Sequence, residues 1–432
     1  MTRRPVGAVW LTTIAIALAP ACSTVLIEPM DQEPVEDGAS VATSSGSGGV
    51  GGEAGGAVAC GACLEPCSGD RVWSRAYEVG SSMPSGGPVE LNGMDTDGEG
   101  NTVIAIRAVA TLSLGNSQLD ANGDYDIIVG KWAPDGQALW SRRFGSAAEE
   151  RPTALAADAA GNIYVIGFQN GGLFGTGPLD VPGAFITKLD PLGNALWVKS
   201  IDVTADAWVT SSWRARALSD GTLIVSGISS ASLDLGTDPL GTHDNNFVAA
   251  FDPDGTVLWT RSGLGSPGLH LGSAPDATVM LAGSFRQPLD LGGDLLVPQG
   301  GADGFVVQLD RDGSLVWQRA LVGDQSLGPT TLAVGPDGRV AVAGRAFGTV
   351  DFAQPAVAPQ QASTFLATLE PDGQISWGRL FPDSSDFPNV GLAHLAVDPA
   401  GHLSFIALVH GQIDFGGGPV TTGLQLGSGY LV

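Results

Sequence analysis

Oxygen-bearing side chains alternate in one short segment of this 432-residue chain, at Asp120, Asn122 and Asp124. Calcium-binding loops place oxygen ligands at alternate positions, so these three residues are a candidate calcium site. The segment lacks the glycine and the distant bidentate glutamate that such loops contain, and Asp126 beside it aligns with Asp303 in a later repeat. The alternative is a solvated acidic turn, and no other cofactor is expected.

A second candidate site combines two tryptophans with two arginines: Trp208, Trp213, Arg214 and Arg216. The tryptophans fall outside the repeat described below, in a long connection. Exposed aromatic rings beside cations suit the binding of a sugar ring or a peptide segment. Burial beneath the connection is the alternative, because tryptophan is highly buried on average.

Three cysteines, Cys60, Cys63 and Cys67, could form a disulfide or bind a metal. If the chain is exported, they predict one disulfide, between Cys67 and either Cys63 or Cys60, with one thiol left over. Zinc requires four ligands, and haem attachment requires a histidine where the chain has Leu64.

Common catalytic motifs are missing from the sequence: it contains no GxSxG, no HExxH and no P-loop. A GxGxxG at residues 46–51 has neither a preceding strand nor a following helix, so it is low-complexity sequence. His394 and His402 could meet across a hairpin, but a third close metal ligand is missing. The sequence therefore predicts no catalytic residue.

Six tryptophans recur at a nearly constant spacing, 67, 57, 62, 58 and 60 residues apart, and each follows a β-prone run and a turn rich in Pro, Asp and Gly. They are Trp73, Trp140, Trp197, Trp259, Trp317 and Trp377. Such a period indicates a radial repeat. In the second unit, four β-prone runs cover residues 153–157, 162–168, 185–189 and 194–200, and four antiparallel strands per repeat are typical of a β-propeller blade.

The repeat predicts an all-β, six-bladed propeller in which the N-terminal segment completes the last blade. The last unit reaches its third strand at residues 429–432, and LEPCSGDRVWSR at 64–75 supplies the missing turn, tryptophan and fourth strand. One tryptophan per blade predicts packing between blades. The basic residue two positions after each tryptophan, such as Arg142 or Lys199, predicts a cross-strand ion pair or cation-π contact.

The first 21 residues have the pattern of an export signal, with Arg3 and Arg4 before an apolar stretch from Val6 to Ala19, which is followed by Pro20, Ala21 and Cys22. The pattern resembles a bacterial lipoprotein signal and implies a lipid on Cys22; ordinary cleavage after Ala21 is the alternative. Residues 22–59 are rich in Gly, Ser and acidic residues and predict a disordered linker. The propeller is expected over residues 60–432, in the cell envelope, anchored to the outer membrane.

The chain carries a formal net charge of −25, from 20 basic and 45 acidic residues. Such a surface repels phosphate backbones and anionic headgroups, which disfavours nucleic acids as partners and leaves the lipid anchor as the predicted membrane contact. Cations or basic partners fit the overall charge better.

From about Cys63 to Val432, units such as FITKLDPLGNALW resemble the SBBP-type propeller repeats of exported bacterial proteins. The resemblance implies a non-enzymatic envelope protein, and seven blades is the alternative count because that family is usually described as seven-bladed. The phrase LDxxGxxLW is also similar to quinone-type propellers and to an outer-membrane assembly lipoprotein. The sequence thus predicts a module that binds an envelope protein or a glycan, with a propeller enzyme (a quinone-dependent dehydrogenase or a hydrolase) or an assembly scaffold as alternatives.

Overall fold

The structure is a computed structural model that describes residues 89–109, 111–114, 117–120, 122, 124–170, 183–203, 213–229, 233–235, 245–265, 268–351, 363–382, 391–398, 400–409, 412–414, 419–421 and 428–431. These residues form strands and turns. Across these ranges, the structure has no helix with the length and apolar character needed to cross a bilayer.

The first three sheets follow one another along the chain, and each contains at least four antiparallel strands. The first sheet contains β1 (Val89–Thr96), β2 (Thr102–Ala108), β5 (Asp126–Trp132) and β6 (Ala138–Phe144), with the hairpin β3 (Leu112–Leu114) and β4 (Ser117–Leu119) between β2 and β5. The second contains β7 (Glu150–Ala157), β8 (Ile163–Gln169), β9 (Gly183–Leu189) and β10 (Ala195–Val203). The third contains β11 (Arg214–Ala217), β12 (Leu223–Ser229), β14 (Asn245–Phe251) and β15 (Val257–Ser262), while β13 (Leu233–Asp234) pairs with β10.

Three more sheets continue the same antiparallel order. The fourth contains β16 (His270–Ser273), β17 (Val279–Phe285), β18 (Asp303–Leu309) and β19 (Leu315–Leu321). The fifth contains β20 (Ser326–Val334), β21 (Val340–Phe347), β22 (Ser363–Leu369) and β23 (Ile375–Pro382). The sixth contains β24 (Gly391–Val397), β25 (Leu403–Val409) and β28 (Ser428–Leu431), with the hairpin β26 (Gln412–Asp414) and β27 (Pro419–Thr421) between β25 and β28.

The sheets are arranged as the blades of a β-propeller. The first strand of each sheet contacts the first strand of the next, in the series β1, β7, β11, β16, β20 and β24. These inner strands therefore surround a common axis, and the chain moves outward through each blade before it returns to the next. The all-β propeller predicted from the sequence is confirmed, whereas the number of blades in the closed ring stays a prediction.

The core lies between neighbouring blades. One apolar cluster joins the second sheet to the third, with Tyr164 of β8 and Phe247 of β14 among its members, and further clusters join the first to the second, the third to the fourth and the fourth to the fifth. Middle strands such as β5 are buried at every residue because both of their faces are covered. Outer strands such as β19 contain both partly buried and exposed residues. On these strands Trp140, Trp197, Trp259 and Trp317 are partly buried, whereas Trp377 is exposed.

Several predicted features lie outside the described residues. They are the signal at 1–21 with Cys22, the linker at 22–59, the cysteines Cys60, Cys63 and Cys67, the closing segment at 64–75 with Trp73, and Trp208. Where the second unit is described, its four predicted runs correspond to β7, β8, β9 and β10.

Candidate functional site

Four of the repeat tryptophans join one blade to the next through a hydrogen bond. In each case the indole N–H donates to a backbone carbonyl in the turn between the third and fourth strands of the following blade. The pairs are Trp140 to Pro191 at 2.9 Å, Trp197 to Pro253 at 3.0 Å, Trp259 to Arg311 at 2.7 Å and Trp317 to Pro371 at 2.8 Å. We call this contact the tryptophan latch.

The turn that receives each tryptophan contains a glycine under the indole ring. A Cβ added to Gly313 would lie 2.6 Å from Trp259, and one added to Gly373 would lie 2.6 Å from Trp317. Both glycines also have φ near +80°, a backbone conformation that other residues adopt only at a cost. The Pro-Asp-Gly turn of the repeat is therefore the receptor for the preceding blade's tryptophan.

In two blades the basic residue two positions after the tryptophan contacts the same receptor turn. Arg142 donates to the Leu192 carbonyl from Nε at 3.1 Å and from Nη2 at 2.9 Å, and Lys199 Nζ donates to the Gly255 carbonyl at 3.0 Å. The prediction of a cross-strand ion pair is wrong for these two cations, because their acceptors are backbone carbonyls of the next blade. Cation-π geometry is present at Lys199, whose Nζ lies 5.8 Å from the Phe251 ring centroid.

A basic cluster lies on the inner strands around the axis, and we call Arg214, Arg216, His270 and His394 the axial cluster. Arg214 and Arg216 belong to β11, His270 begins β16, and His394 belongs to β24. Three of them occupy equivalent positions in their blades. Arg214, His270 and His394 each lie four residues before the residue that opens the turn between the first and second strands of the blade. Equivalent positions on inner strands point the same way in each blade, so the propeller brings these three side chains to one level along the axis.

The side chains of the axial cluster influence one another's pKa values. Partial desolvation, followed by the charge of Arg216, lowers the pKa of Arg214. Burial, followed by the charge of Arg214, lowers the pKa of His270 to about 4, while a hydrogen bond to the Pro329 carbonyl acts in the opposite direction. Burial, followed by the charges of Arg214 and Arg216, lowers the pKa of His394. Because β24 belongs to the sixth sheet and β11 to the third, this last influence extends across the axis.

Carboxylates do not neutralise this cluster within the described residues. The ion pairs found there lie elsewhere, for example between Lys131 and Asp97 or between Arg339 and Glu370. Arg214 is exposed, while Arg216 and His270 are partly exposed. The cluster thus combines positive charge, access to solvent and partial desolvation, which are the properties of an anion-binding site.

Trp213 is part of the core and not a ligand platform. It is 1% exposed, and its ring meets Phe247 edge-on at a centroid distance of 5.1 Å. Of the two states open to it on the sequence, Trp213 has the buried one, so it does not present the exposed ring that ligand binding there would require. Arg214 and Arg216, predicted beside it, do lie together on β11.

The candidate calcium segment makes hydrogen bonds within its own loop. Asp120 accepts from the Thr111 hydroxyl at 2.9 Å and from Gln118 at 3.2 Å, and the backbone N–H of Asn122 donates to Asp126 at 2.6 Å. Asp124 is exposed. Among the described residues, no three carboxylates, histidines or cysteines converge in a way that could hold a metal ion. Calcium binding at Asp120, Asn122 and Asp124 stays a prediction.

Asp126 and Asp303 have the same structural role in two blades. Both are fully buried at the start of the third strand, and both accept backbone N–H groups, from Asn122 in one blade and from Gln299 and Gly323 in the other. Burial raises the pKa of Asp126, an effect that its hydrogen bonds and Arg143 only partly offset. These carboxylates fix the loops of their blades.

The two histidines considered as a metal pair serve different elements. His402 closes the turn between β24 and β25, with Nδ1 2.8 Å from Oδ2 of Asp398, as Asn162 does with Asp158 in the second blade. His394 belongs to the axial cluster instead. Sequence reasoning missed the shared position of His270, His394 and Arg214, which an alignment of the units on their first turns would have exposed.

The chain matches no protein-family model and no curated protein sequence. Among solved structures it is similar to the Hadza microbial sialidase Hz136, with 13% identity over 74% of this chain and 63% of that one and a TM-score of 0.39. It is also similar to the Dos1 propeller, with 9% identity over 71% and 86% of the two chains and a TM-score of 0.34. A gluconolactonase from Xanthomonas campestris, XC5397, has 16% identity over 65% and 78% and a TM-score of 0.31. The chain spans less than two thirds of the sialidase.

Proposed function

We propose that this protein is a non-catalytic binding module whose axial cluster captures an anionic group of its ligand. The observation that carries the proposal is the placement of Arg214, His270 and His394 at one repeat position on three inner strands, with no carboxylate partner among the described residues. Arginine side chains bind carboxylate, phosphate or sulfate oxygens through charge-assisted, often bidentate hydrogen bonds.

The charge of the whole chain determines how selective such a site is. With a net charge of −25, the surface repels anions in general, so capture depends on local contacts at the axis and not on long-range attraction. The ligand is therefore a molecule with one localised anionic group rather than a polyanion. A carboxylate-bearing sugar or a carboxylate on an envelope protein has this character.

Titration calorimetry with inorganic phosphate, inorganic sulfate and glucuronate tests the proposal. The wild-type protein binds at least one of these probes with saturation. The double variant Arg214→Gln/Arg216→Gln weakens binding by roughly 10-fold or more, because each charge-assisted hydrogen bond contributes about 1.5–3 kcal/mol.

The matched control is Arg286→Gln/Arg319→Gln, which removes the same charge from exposed positions away from the inner strands. It changes affinity less than about 2-fold, since exposed charges are screened by salt. Equal weakening by both double variants, or no binding of any probe by the wild type, would contradict the axial site.

We further propose that the module is exported and held at the cell envelope through a lipid on Cys22. The support is the sequence alone: the basic and apolar stretch that precedes Cys22. Cys22→Ser is expected to move the protein from the membrane fraction to the soluble extracytoplasmic fraction of the bacterium. If the variant stays in the membrane fraction as the wild type does, the anchor lies elsewhere.

A further inference from the structure

Two acidic side chains are buried together where the first blade passes to the second. Asp126 begins β5 of the first blade, Glu150 begins β7 of the second, and both residues are fully buried. A Cβ added to Gly145 would collide with Oδ1 of Asp126 and would lie 2.9 Å from Oε2 of Glu150. These two oxygens therefore lie within about 5 Å of each other beside one glycine, a range in which like charges act strongly on each other.

Glu150 joins the two blades through both its backbone and its side chain. Its backbone N–H donates to the Tyr125 carbonyl at 2.7 Å, directly before β5. Its carboxyl group accepts the Ser146 N–H at Oε2 and the Ser146 hydroxyl at Oε1, each at 2.8 Å. The charge on this side chain therefore affects the connection at 145–149 as well as the start of the inner strand.

The fold does not require a carboxyl group at this position. Leu327 has the equivalent place where the fourth blade passes to the fifth: its N–H donates to the Ala302 carbonyl at 2.8 Å, directly before the buried Asp303. Leu327 is 1% exposed and apolar. Burying a carboxyl group costs free energy that burying a leucine does not, so packing alone does not account for Glu150.

The charges around the pair place a proton on Glu150. Nη1 of Arg143 lies 3.3 Å from each oxygen of Asp126, which supports the ionised form of that carboxyl group. Burial raises the pKa of Glu150 and the charge of Asp126 raises it further, against the hydrogen bonds from Ser146 and the charge of Arg143. Glu150 is therefore the member of the pair that retains a proton above the ordinary range of a glutamate.

The other charged groups on the strands packed against β7 have partners or places of their own. These are Arg107 with Glu90 and Glu149, Asp95 with the Ala157 N–H, Lys131 with Asp97, Arg151 over the Phe168 ring, and Arg214 and Arg216 in the axial cluster. The charges that act on Glu150 are those of Asp126 and Arg143.

We propose that Glu150 is a proton-dependent clamp between the first two blades. While Glu150 holds its proton, Oε2 lies beside the ionised Asp126 without repulsion, and the contacts with Ser146 stay closed. When Glu150 loses the proton, two buried negative charges lie beside Gly145, and the connection at 145–149 opens.

The sign of the pH dependence follows from the direction of the shift. The pKa of Glu150 in the folded protein is raised above its ordinary value of 4.5. The stabilising contribution of the clamp is therefore complete below pH 4.5 and is lost as the pH rises through the raised pKa.

Hydrogen exchange on the unmodified protein tests the clamp at pH 5 and pH 8, with EDTA present to remove bound metal ions. After correction for the intrinsic rates, protection of the Ser146 and Glu150 amides is expected to fall at least about 10-fold between pH 5 and pH 8, as in a local opening. The controls are the amides of Leu327 and Gly323 at the junction of the fourth and fifth blades, whose protection changes less than about 2-fold. Unchanged protection of Ser146 and Glu150, or equal changes at the two junctions, would overturn the proposal.

Glu150→Gln tests the same clamp because it cannot ionise. Its amide oxygen can accept the Ser146 N–H, and its amide nitrogen can donate to the Ser146 hydroxyl oxygen. The variant is expected to melt a few degrees above the wild type at pH 8 and to lose this advantage at pH 4.5. The pH dependence from His270 is present in both proteins and cancels in the difference.

The matched control is Glu149→Gln, whose side chain is 39% exposed and which differs from the wild type by the same amount at both pH values. Glu150→Leu, which copies Leu327, is a second variant without an ionisable group and is expected to show the same trend with pH as Glu150→Gln. Midpoint profiles of both Glu150 variants that run parallel to the wild type would overturn the clamp.

Discussion

The indole N–H of Trp259 donates to the carbonyl of Arg311 at 2.7 Å, across 52 residues of sequence. The donor lies on the outermost strand of the third blade and the acceptor in a turn of the fourth. The bond therefore links two blades at their outer edges, while the apolar clusters link them along their faces. This relationship makes the latch a testable source of stability.

Trp259→Ala is expected to lower the free energy of unfolding by about 2–4 kcal/mol, measured by urea denaturation, because it removes both a half-buried aromatic ring and a hydrogen bond. The control is Leu258→Ala on the same strand, whose side chain is 51% exposed. That change is expected to cost less than about 0.5 kcal/mol, as surface substitutions usually do. Equal losses from the two variants would show that the latch adds no stability of its own.

Gly313→Ala is expected to destabilise the protein more than Gly263→Ala. Both glycines have positive φ, 77° and 72° respectively, so both substitutions carry the backbone cost of about 1–2 kcal/mol. At Gly313 the new Cβ would meet the ring of Trp259. At Gly263 no atom lies within 4 Å of the new Cβ. The difference between the two melting midpoints isolates the close approach of the indole, and identical midpoints would contradict it.

Lys131→Met is expected to cost about 3–5 kcal/mol of stability, as removal of one partner of a buried ion pair does. Lys131 Nζ lies 2.8 Å from Oδ2 of Asp97, and both side chains are almost completely buried. Burial alone would raise the pKa of Asp97, but hydrogen bonds from Lys131 and Asn101 outweigh it and hold that pKa below its ordinary value.

The control for Lys131→Met is Arg339→Met, which breaks an exposed pair with Glu370. It is expected to cost less than about 1 kcal/mol. Urea denaturation of both variants measures the difference. A loss at Lys131 no larger than that at Arg339 would mean that the buried pair has no special role.

His270 is expected to make the protein less stable as the pH falls from about 6.5 to about 4. Burial and then Arg214 lower its pKa to about 4 in the folded state. The unfolded chain takes up this proton near its ordinary value of about 6.5, so protonation favours unfolding across that interval. This loss of stability is complete below pH 4 and amounts to at most on the order of 3 kcal/mol.

His270→Gln removes this contribution, so its melting midpoint falls less than that of the wild type between pH 7 and pH 4.5. Arg214→Gln is expected to reduce the same pH dependence in part, since it removes one of the two causes of the lowered pKa. Parallel midpoint profiles for the wild type and His270→Gln would contradict the assignment.

Much of the blade could be predicted from the sequence because its signals are local. Turn residues recur at fixed positions, and Pro and Gly set backbone angles by their own stereochemistry, so the strands of the second unit fall where the pattern placed them. The structural equivalence of Asp126 and Asp303 was visible for the same reason.

Part of the candidate site could not be predicted, because it depends on which side chains meet across blades. The residues that flank Trp213 in the sequence are compatible with either an exposed or a buried ring. Whether the ring is buried depends on its packing against Phe247, which belongs to a distant strand. Arg142 and Lys199 were expected to find acidic or aromatic partners. Lys199 does lie over the Phe251 ring, but both cations donate to backbone carbonyls of the next blade's turn, which the sequence did not predict.

The sequence by itself determined the repeat, its strands and its turns, since these follow from side-chain alternation and from the allowed angles of individual residues. Only the tertiary structure decided which residues share a site. Arg214 and His394 are 180 residues apart in sequence, yet the charge of one lowers the pKa of the other, because inner strands from different blades surround one axis. Electrostatic contact depends on distance in space, which the circular arrangement of the blades sets and sequence separation does not.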